Sequence, residues 1–449
     1  MTDRLVVIGG DASGMTAASL VKKRRPDMEV VALEKGHWTS YSACGIPYLV
    51  GGDVDSIDDL VVRTPEEHIR RGVDARVGHE ATAIDVDRRH VEVRDLDAAS
   101  TYELGFDQLV LAMGAVPRRP PLPGFDHERV HGVQTLDDGA DLLRHAKEIG
   151  VERVAVVGAG YIGLEIAEAF VKRGCRVTVV EREPEVMPAT MDPEMGALVH
   201  LAMEVEGVDV RVGTAVQGFD GRALQTAAGS VEADLVVLGL GVAPNAKLAG
   251  DAGIALGAHD AVGVDIRQRT SHDGVWAAGD CCESLHLVSK RKVHVALGTV
   301  ANKQGRVVGL NVSGGYATFP GVVGTAVTKL CATEIARTGL SEREASAAGF
   351  LYEAVTIEST TRAGYFPGAK PLKVRVLAER GGGRLLGAQI VGEEGAAKRI
   401  DVLACALTAG FTVEDVLHLD LSYAPPFAPV WDPVLVAARK AWEKVEANR

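Results

Sequence analysis

Cys44 is the residue whose type and position point most clearly to chemistry. It lies in the segment SYSACGIPY (residues 40–48), ten residues after Glu34. Leu49 occupies the place where a second cysteine would complete a C-x-x-x-x-C pair, so an internal disulfide with that position is excluded. A lone thiolate is instead oxidised to a mixed disulfide with a small thiol or to a sulfenic acid. We expect Gly45-Ile46-Pro47 to begin a helix, whose N-terminus would lower the pKa of the thiol.

A strand–glycine loop–helix–strand pattern precedes this cysteine. The first strand ends at Ile8, the loop GGDASG covers residues 9–14, and the second strand ends at Glu34. Glycines let the backbone approach a pyrophosphate, the helix N-terminus presents partial positive charge to it, and the carboxylate accepts hydrogen bonds from ribose. Asp11 stands where the pattern normally has its middle glycine. The residues expected to bind a dinucleotide here are Gly9, Gly10, Ala12, Gly14, Glu34 and Lys35.

The same pattern recurs at residues 153–181, now with a complete G-x-G-x-x-G loop. Either loop alone has an ordinary tight turn as its alternative, but two such units in one chain favour two dinucleotide sites. Glu181 favours NADH, because a carboxylate at the end of the second strand repels the 2′-phosphate of NADPH. Arg182 beside it would tolerate that phosphate, so both coenzymes stay open. The residues expected to bind this coenzyme are Gly158, Gly160, Tyr161, Gly163, Glu165, Glu181 and Arg182.

Three further segments complete the organisation. A strand over residues 107–111 runs into the turn Ala112-Met113-Gly114-Ala115, and the prolines between residues 117 and 123 predict a crossing between domains. A later strand and turn end at Gly279-Asp280. From about residue 324 alternating apolar segments predict antiparallel strands, followed by helices, which indicates a separate α+β domain.

Composition excludes several classes of function. The net charge is −13 over 449 residues, which argues against general nucleic-acid binding. We expect neither a signal peptide nor a membrane span, because no apolar run has the required length. The six cysteines are scattered without a C-x-x-C pair, so we expect a reducing cytoplasm and no metal site.

Taken together, the chain resembles the pyridine nucleotide–disulfide oxidoreductase superfamily over essentially its whole length. The two glycine loops, the Ala112–Ala115 turn and Ala278-Gly279-Asp280 fall in the family's order. The resemblance implies an α/β protein with two Rossmann-like dinucleotide-binding domains and a C-terminal α+β dimerisation domain. It divides the chain into a split FAD domain (1–115 and 242–323), an NAD(P)H domain (116–241) and a dimerisation domain (324–449).

Within the superfamily, S-x-x-x-C-G-x-P-Y is similar to the single-cysteine branch of coenzyme A disulfide reductases and NADH oxidases. Segments 364–368 (GYFPG), 395–401 (GAAKRID) and 423–427 (YAPPF) resemble the same branch. The resemblance implies a homodimer with a shared active site, in which Tyr365 and Tyr423 of one subunit reach Cys44 of the other. Aromatic packing at a dimer interface is the alternative for Tyr365.

The resemblance also implies roles for other residues. Tyr161 is similar to a gate that moves when nicotinamide enters, and Glu165 would lie near the flavin–nicotinamide contact unless it is a solvated helix carboxylate. Asp280 would contact the ribityl–pyrophosphate region of FAD, and it could cap a helix at the same time. The other expected FAD contacts are Ala112, Gly114, Gly279 and Ala296. The expected coenzyme A contacts are Ser40, Lys23 and Arg71; a loop cap and helix-end cations are the alternatives for Ser40 and Lys23.

Three functions remain open at this point. The first is NAD(P)H-dependent reduction of a coenzyme A disulfide, persulfide or polysulfide through Cys44. The second is an NADH oxidase or peroxidase that cycles Cys44 through a sulfenic acid. Peroxidase relatives carry a histidine in the first glycine loop, where this chain has Ala12, which favours the first function. The third is an electron-transfer reductase for a ferredoxin-like protein, which needs no Cys44 motif and lacks this C-terminal domain.

Overall fold

Short runs of β-branched and apolar residues form the strands of this computed structural model, which describes residues 3–448. In the first half of the chain the strands are β1 Arg4–Ile8, β2 Glu29–Leu33, β3 Asp74–Arg76, β4 His79–Asp85, β5 His90–Asp95, β6 Ser100–Gly105, β7 Gln108–Leu111, β8 Ala115–Pro117, β9 Val130–His131, β10 Arg153–Val157, β11 Arg176–Val180, β12 Asp209–Arg211 and β13 Val216–Phe219. The remaining strands are β14 Ala223–Thr226, β15 Gly229–Glu232, β16 Leu235–Leu238, β17 Val242–Pro244, β18 Val275–Ala277, β19 Glu283–Leu285, β20 Lys292–His294, β21 Ala326–Leu330, β22 Thr333–Gly339, β23 Tyr352–Thr360, β24 Pro371–Glu379 and β25 Leu385–Gly392.

The helices connect these strands and cover the sheets. They are α1 Ala12–Arg24, α2 Ile46–Gly51, α3 Pro65–Arg70, α4 Leu136–Glu148, α5 Tyr161–Lys172, α6 Pro193–Val205, α7 Lys247–Asp251, α8 Gly298–Val312, α9 Glu342–Ala347, α10 Ile400–Ala409, α11 Val413–Leu417 and α12 Pro433–Ala447. Several begin at a reciprocal capping box, as α3 does with Thr64 and Glu67, which satisfies backbone N–H groups at the helix start. Among the described residues no helix is both long and apolar enough to cross a membrane.

Two parallel five-stranded sheets form the centre of the molecule, as the two repeated units predict. The first has the order β18-β7-β1-β2-β3, and the second has the order β12-β11-β10-β16-β9. In the first, β1 lies between β2 and β7, with Val6 opposite Val31 and Leu109. The carboxyl ends of the central strands β1 and β10 therefore lead directly into the two glycine loops, which is where ligands bind in open α/β sheets.

The proline-rich stretch crosses between these units. Strand β8 pairs antiparallel with β17, so the outgoing and returning chains run together as a two-stranded ribbon. This pairing supports the prediction that one dinucleotide-binding domain is inserted into the other. The domain limits at residues 115, 241 and 323 stay predictions. Two three-stranded antiparallel sheets, β4-β5-β6 and β13-β14-β15, were not foreseen from the sequence.

The C-terminal part is the expected α+β unit. Its antiparallel sheet has the order β21-β22-β25-β24-β23. Helices α10 and α12 bury Leu403, Ala437 and Ala441 in a common core with residues of β24 and β25. The predicted strands at 373–378 and 385–391 correspond to β24 and β25, each slightly longer than expected.

Candidate active site

The first glycine loop is packed so closely that only glycine fits at its ends. A Cβ added at Gly9 would overlap the carbonyl of Ala112, and one at Gly14 would overlap the carbonyl of Gly9. Gly9 also has φ of 115°, which side-chain-bearing residues rarely adopt. The predicted residues Ala112 and Gly14 therefore lie against this loop, as a tight strand-to-helix turn requires.

Glu34 lies against the same loop. Its carboxylate accepts hydrogen bonds from the Gly10 N–H at 2.7 Å and from the Gly36 N–H at 2.8 Å. Such bonds fix the carboxylate at the end of β2, where a ribose would lie. The neighbouring Lys35 forms an ion pair with Glu80 at 2.9 Å, and its side chain is 69% exposed. That pairing gives no support to the predicted cofactor contact by Lys35.

Asp280 faces the same region from the turn after β18. Its Oδ1 atom is buried without a hydrogen-bond partner among the described residues. Burial raises the pKa of Asp280 to about 6, against a hydrogen bond from Leu297 that lowers it. The Leu297 N–H that it accepts belongs to the N-cap residue of α8, so the helix-cap alternative stays open beside the cofactor contact. A buried polar atom of this kind normally has a partner, and a ribityl hydroxyl or other donor of a dinucleotide would supply one.

The remaining predicted contacts surround these groups. Gly114 has φ of 68°, and its carbonyl accepts the Asn245 N–H at 3.0 Å. Gly279 lies against the Ser13 side chain, so it has no room for a Cβ. Ala296 is half-buried in the segment between β20 and α8. With Asp280 and the crowded glycine loop, these residues fit the dinucleotide portion of FAD.

The second glycine loop has the same construction. A Cβ at Gly163 would overlap the carbonyl of Gly158, whereas Gly160 has open space beside it. The Glu181 carboxylate accepts the N–H groups of Ala159 and Glu183, each at 2.9 Å. Its place at the end of β11 matches that of Glu34 at the end of β2.

Arg182 forms an ion pair with the residue that follows it. Its guanidinium pairs with Glu183 at 2.9 Å, and its side chain is 78% exposed. The acidic Glu181 is therefore fixed at the loop, whereas the Arg182 pair is solvent-exposed and weak. This arrangement favours NADH over NADPH.

The segment with Cys44 rests on the first glycine loop. Two of its N–H groups bind that loop: Ser40 donates to the Gly10 carbonyl and Tyr41 donates to Asp11 Oδ1, each at 3.0 Å. A short 3-10 turn over Ala43–Gly45 then leads into α2. Cys44 lies in this turn, is a free thiol and is exposed. The sequence prediction that Cys44 lies next to the dinucleotide loop thus agrees with the geometry.

The pKa of Cys44 changes in the direction opposite to that expected. Desolvation raises the pKa of its thiol, and the carboxylates of Glu165, Asp280 and Asp11 raise it further. Helix α2 does begin just after Cys44, at Ile46, but it has only six residues. The expectation of a lowered thiol pKa from the helix start is therefore wrong.

Helix α5 carries two more predicted residues close to this site. Burial raises the pKa of the Tyr161 phenol to about 12, although Arg337 acts in the opposite direction. Glu165 Oε1 accepts a hydrogen bond from the Thr328 hydroxyl at 2.8 Å, and burial raises the pKa of Glu165. Glu165 is thus half-buried and hydrogen-bonded rather than a solvated helix carboxylate. Through Thr328 of β21, the C-terminal sheet reaches the helix that borders Cys44.

The three predicted substrate contacts lie around α3. The Ser40 hydroxyl is 3.0 Å from Nε2 of His68, which is fully buried in α3. Arg71 ends the same helix and is exposed. The next residue, Gly72, lies against the Lys22 side chain, so the end of α1, with the exposed Lys23, lies close to Arg71. Helix α3 therefore contacts Ser40 through His68 and the end of α1 through Gly72.

Lys23 differs from the basic residues beside it. Lys22 donates to the Pro26 and Met28 carbonyls, Arg24 donates to Ser313, and Arg25 pairs with Asp27. Among the described residues, Lys23 has no hydrogen-bond or ion-pair partner of this kind. Of this basic run, Lys23 is accordingly the cation most available to an anionic ligand.

Tyr365 and Tyr423 lie together on the C-terminal domain. The Ala363 N–H donates to the Pro425 carbonyl at 3.1 Å, which joins their two loops, and Arg399 donates to the carbonyls of Thr361 and Phe427. Hydrogen bonding with Tyr365 raises the pKa of Tyr423. The side chains are 78% and 46% exposed, so both are open to another molecule.

Sequence reasoning missed two side chains at this site. In the sequence, Asp11 is only a departure from the glycine pattern, and nothing local distinguishes His68. Both form hydrogen bonds with the cysteine segment although they are far from it in sequence. Asp11 binds Tyr41, and His68 binds Ser40. The only local signal was an ionisable residue in place of a fingerprint glycine.

The fold and the site define a class of protein: an oxidoreductase with two dinucleotide-binding units, an exposed cysteine beside the first, and a C-terminal α+β domain. The chain belongs to the pyridine nucleotide-disulphide oxidoreductase family, whose model matches residues 3–305. The model of that family's dimerisation domain matches residues 325–433. The family expected from the sequence is thereby confirmed, and FAD and NAD(P)H are the cofactors it implies.

Three similar proteins cover nearly the whole chain. A CoA-dependent NAD(P)H sulfur oxidoreductase from Pyrococcus abyssi is 40% identical over 97% of both chains. An NADH oxidase from Methanocaldococcus jannaschii is 36% identical over 98% of this chain and 99% of its own. The solved structure of a NAD-dependent persulfide reductase from A. fulgidus has a TM-score of 0.96 and 38% identity, covering 99% of this chain and 84% of its own.

Proposed function

We propose that this enzyme uses NAD(P)H to reduce a disulfide, persulfide or polysulfide of coenzyme A through Cys44. The observation that carries the proposal is an exposed, free cysteine hydrogen-bonded through its own loop to the first glycine loop, with the buried Leu49 in place of a second redox cysteine. The names of similar proteins, a CoA-dependent sulfur oxidoreductase and a persulfide reductase, support it.

The chemistry of a single thiol follows a balanced cycle. The Cys44 thiolate attacks one sulfur of CoA–S–S–R, releases RS⁻ and becomes linked to coenzyme A as a mixed disulfide. FAD, when bound, relays two electrons from NAD(P)H to sulfur. Those electrons cleave the mixed disulfide into coenzyme A thiolate and the Cys44 thiolate. Overall, NAD(P)H, one proton and the disulfide become NAD(P)⁺ and two thiols.

The chain's own residues would hold and protonate these species. The exposed Lys23 and Arg71 would bind the phosphates of coenzyme A, and the Ser40 hydroxyl would orient the ligand between them and Cys44. Tyr423 and Tyr365 of the partner subunit would donate a proton to the leaving thiolate or hold it. The raised pKa of Tyr423 keeps its hydroxyl protonated, which fits a group that holds the leaving thiolate by donating a hydrogen bond to it.

The alternative function is an NADH oxidase or peroxidase that cycles Cys44 through a sulfenic acid. The similarity to the NADH oxidase of M. jannaschii favours it. However, the position that carries a histidine in peroxidase relatives is Ala12 at the start of α1, which offers no group for proton transfer to peroxide.

Mass spectrometry of the intact, unreduced protein separates the two functions, together with steady-state assays on coenzyme A disulfide, coenzyme A persulfide and oxygen. We expect a coenzyme A adduct on Cys44 and NADH-dependent reduction of one of the sulfur substrates. Cys44→Ser should abolish both. Cys405→Ser, which removes another exposed thiol, should change neither.

A sulfenic or sulfinic adduct with fast oxygen turnover would establish the alternative. Unchanged turnover in Cys44→Ser would instead indicate the third function, electron transfer to a ferredoxin-like partner.

A further inference from the structure

Asp11 occupies a position where the glycine pattern leaves space for a pyrophosphate. Its backbone does not require glycine, because φ is −110° and ψ is −155°. The equivalent Gly160 in the second loop has nearly the same extended conformation, with φ of −86° and ψ of −170°. In that pattern the middle glycine lets the backbone approach the pyrophosphate. Asp11 therefore places a carboxylate where an anionic ligand is expected. Because like charges repel, this carboxylate should have another role that offsets the repulsion.

The carboxylate of Asp11 is used to bind the cysteine segment. Its Oδ1 accepts the Tyr41 N–H at 3.0 Å, and the adjacent Ser40 N–H donates to Gly10 at 3.0 Å. As a result, two successive residues of the cysteine segment are bound to two successive residues of the glycine loop. Although Asp11 is the N-cap of α1, its side chain makes no cap hydrogen bond. Instead, the side chain binds the backbone of Tyr41, three residues before Cys44.

The segment needs such anchors because it begins with an unfavourable backbone conformation. Ser40 has φ of 47°, in the left-handed region that residues with side chains seldom adopt. The surroundings hold it from several directions: its carbonyl accepts the Val62 N–H at 2.9 Å, and its hydroxyl bonds His68. Strained residues of this kind persist only where neighbouring contacts determine them, and they occur at functional sites.

We propose that Asp11 is a positioning residue that couples the FAD-binding turn to Cys44 through the Tyr41 N–H. The proposal rests on the proposed function only in taking Cys44 as the redox group. Two effects of Asp11 act in opposite directions. Its hydrogen bond fixes the cysteine segment, whereas its negative charge, together with those of Glu165 and Asp280, raises the pKa of the Cys44 thiol.

Two substitutions separate the hydrogen bond from the charge. Asp11→Asn keeps an oxygen that accepts the Tyr41 N–H and removes the charge. Asp11→Gly restores the common glycine and removes both. Asp273→Asn is the matched control, since it removes a fully exposed carboxylate from the FAD domain.

The experiment measures alkylation of Cys44 by iodoacetamide as a function of pH in the FAD-loaded enzyme, read by peptide mass spectrometry, with the exposed Cys405 as internal reference. FAD affinity, NADH turnover and KM for the sulfur substrate are measured beside it. In Asp11→Gly we expect Cys44, freed with its segment, to be alkylated faster at high pH, and turnover to fall roughly tenfold, with FAD affinity retained or improved. In Asp11→Asn we expect the wild-type alkylation rate at high pH, a lower thiol pKa and near wild-type turnover.

If Asp11→Gly retains its affinity for FAD, its loss of turnover is not caused by unfolding. If Asp11→Asn restores turnover, the hydrogen bond to Tyr41, and not the negative charge, is responsible. Wild-type behaviour in Asp11→Gly would overturn the proposal, and so would an Asp11→Asn variant no better than Asp11→Gly. Loss of FAD from Asp11→Gly would overturn it too, because Asp11 would then be a cofactor ligand. The alkylation needs no disulfide substrate, so it gives its answer even if coenzyme A disulfide is not reduced.

Discussion

At the scale of single residues, two carboxylates hold equivalent places, Glu34 at the end of β2 and Glu181 at the end of β11. Each accepts two backbone N–H groups near its glycine loop. These bonds order the loop before any ligand arrives, and they also fix a negative charge at the ribose position. For the second site this charge is the main feature that discriminates between coenzymes.

We therefore predict that NADH is preferred over NADPH and that Glu181→Gln reduces the preference. The amide keeps one hydrogen-bond acceptor for the loop but no longer repels the 2′-phosphate. We expect kcat/KM for NADPH to rise about fivefold, because a charge pair near a protein surface interacts by about 1 kcal/mol or more. Glu152→Gln, on an exposed side chain of the same unit, should leave both coenzymes unchanged. A wild-type enzyme that prefers NADPH would contradict the assignment.

Residues at the site differed in how far the sequence could predict them. The glycine loops and Glu34 were predictable because their spacing is local and each glycine is required by a close approach. The bonds from Asp11 to Tyr41 and from Ser40 to His68 were not, since they join residues about 30 positions apart through a loop conformation that no periodicity encodes. The pKa of Cys44 was predicted with the wrong sign, because desolvation depends on the tertiary packing and the acidic groups around the thiol come from three separate segments.

At the scale of elements, the helix after the cysteine and the C-terminal sheet meet on the same helix of the second unit. Helix α2 buries Ile46 and Leu49 in a core shared with Leu164 and Ile166 of α5, and that core also includes Leu330 of β21. Lys329 of β21 pairs with Glu168 of α5 at 2.9 Å. A movement of α5 on coenzyme binding would therefore act on both the cysteine helix and the dimerisation domain.

A buried ion cluster joins the second unit to the C-terminal sheet at another place. Arg375 of β24 donates to Asp192 at 3.0 Å and also pairs with Glu194 and Glu342. Gln389 of β25 donates to the same Asp192 carboxylate at 2.8 Å. The Asp192 side chain is only 3% exposed, and burial raises its pKa even though Arg375 acts to lower it. Arg375 is thus the cation that contacts Asp192 directly, and Arg337 acts on the same carboxylate from farther away.

We predict that Arg375→Met lowers the free energy of unfolding by about 3–5 kcal/mol at pH 7, because it removes the cation that directly contacts a buried carboxylate. The pKa of Asp192 is already raised and should rise further in the variant. The native variant then binds more protons than the unfolded chain, so its stability falls as pH rises through that pKa and is recovered as pH falls toward 4.

Urea unfolding of wild type and variant at pH 7 and at pH 5 tests this sign. The difference between the two proteins should be smaller at pH 5. Arg144→Met, which removes an exposed arginine paired with Asp141 and Glu148, should change stability by less than about 1 kcal/mol at either pH. A loss for Arg375→Met that is equal at both pH values would show that packing, not charge, stabilises this contact.

At the scale of the whole molecule, the C-terminal domain exposes an unusual set of aromatic side chains. Besides Tyr365 and Tyr423, Phe427 is 75% exposed and Trp431 is 51% exposed. Clusters of exposed large apolar residues mark interaction sites, and a dimerisation-domain model matches this part of the chain. A homodimer in which this surface meets the Cys44 face of the partner would bury these rings and complete the active site.

Mixed dimers of Cys44→Ser and Tyr423→Phe chains, carrying two affinity tags for separation, test whether the site is shared. If it is, one site of the mixed dimer combines Cys44 of one chain with Tyr423 of the other, so about half of wild-type activity should return although each parent dimer is impaired. The mirror arrangement is the control: a wild-type chain paired with a Cys44→Ser/Tyr423→Phe chain contains no intact shared site and should show little activity. If both groups act within one chain, the pattern reverses, with no recovery in the first mixture and half activity in the second.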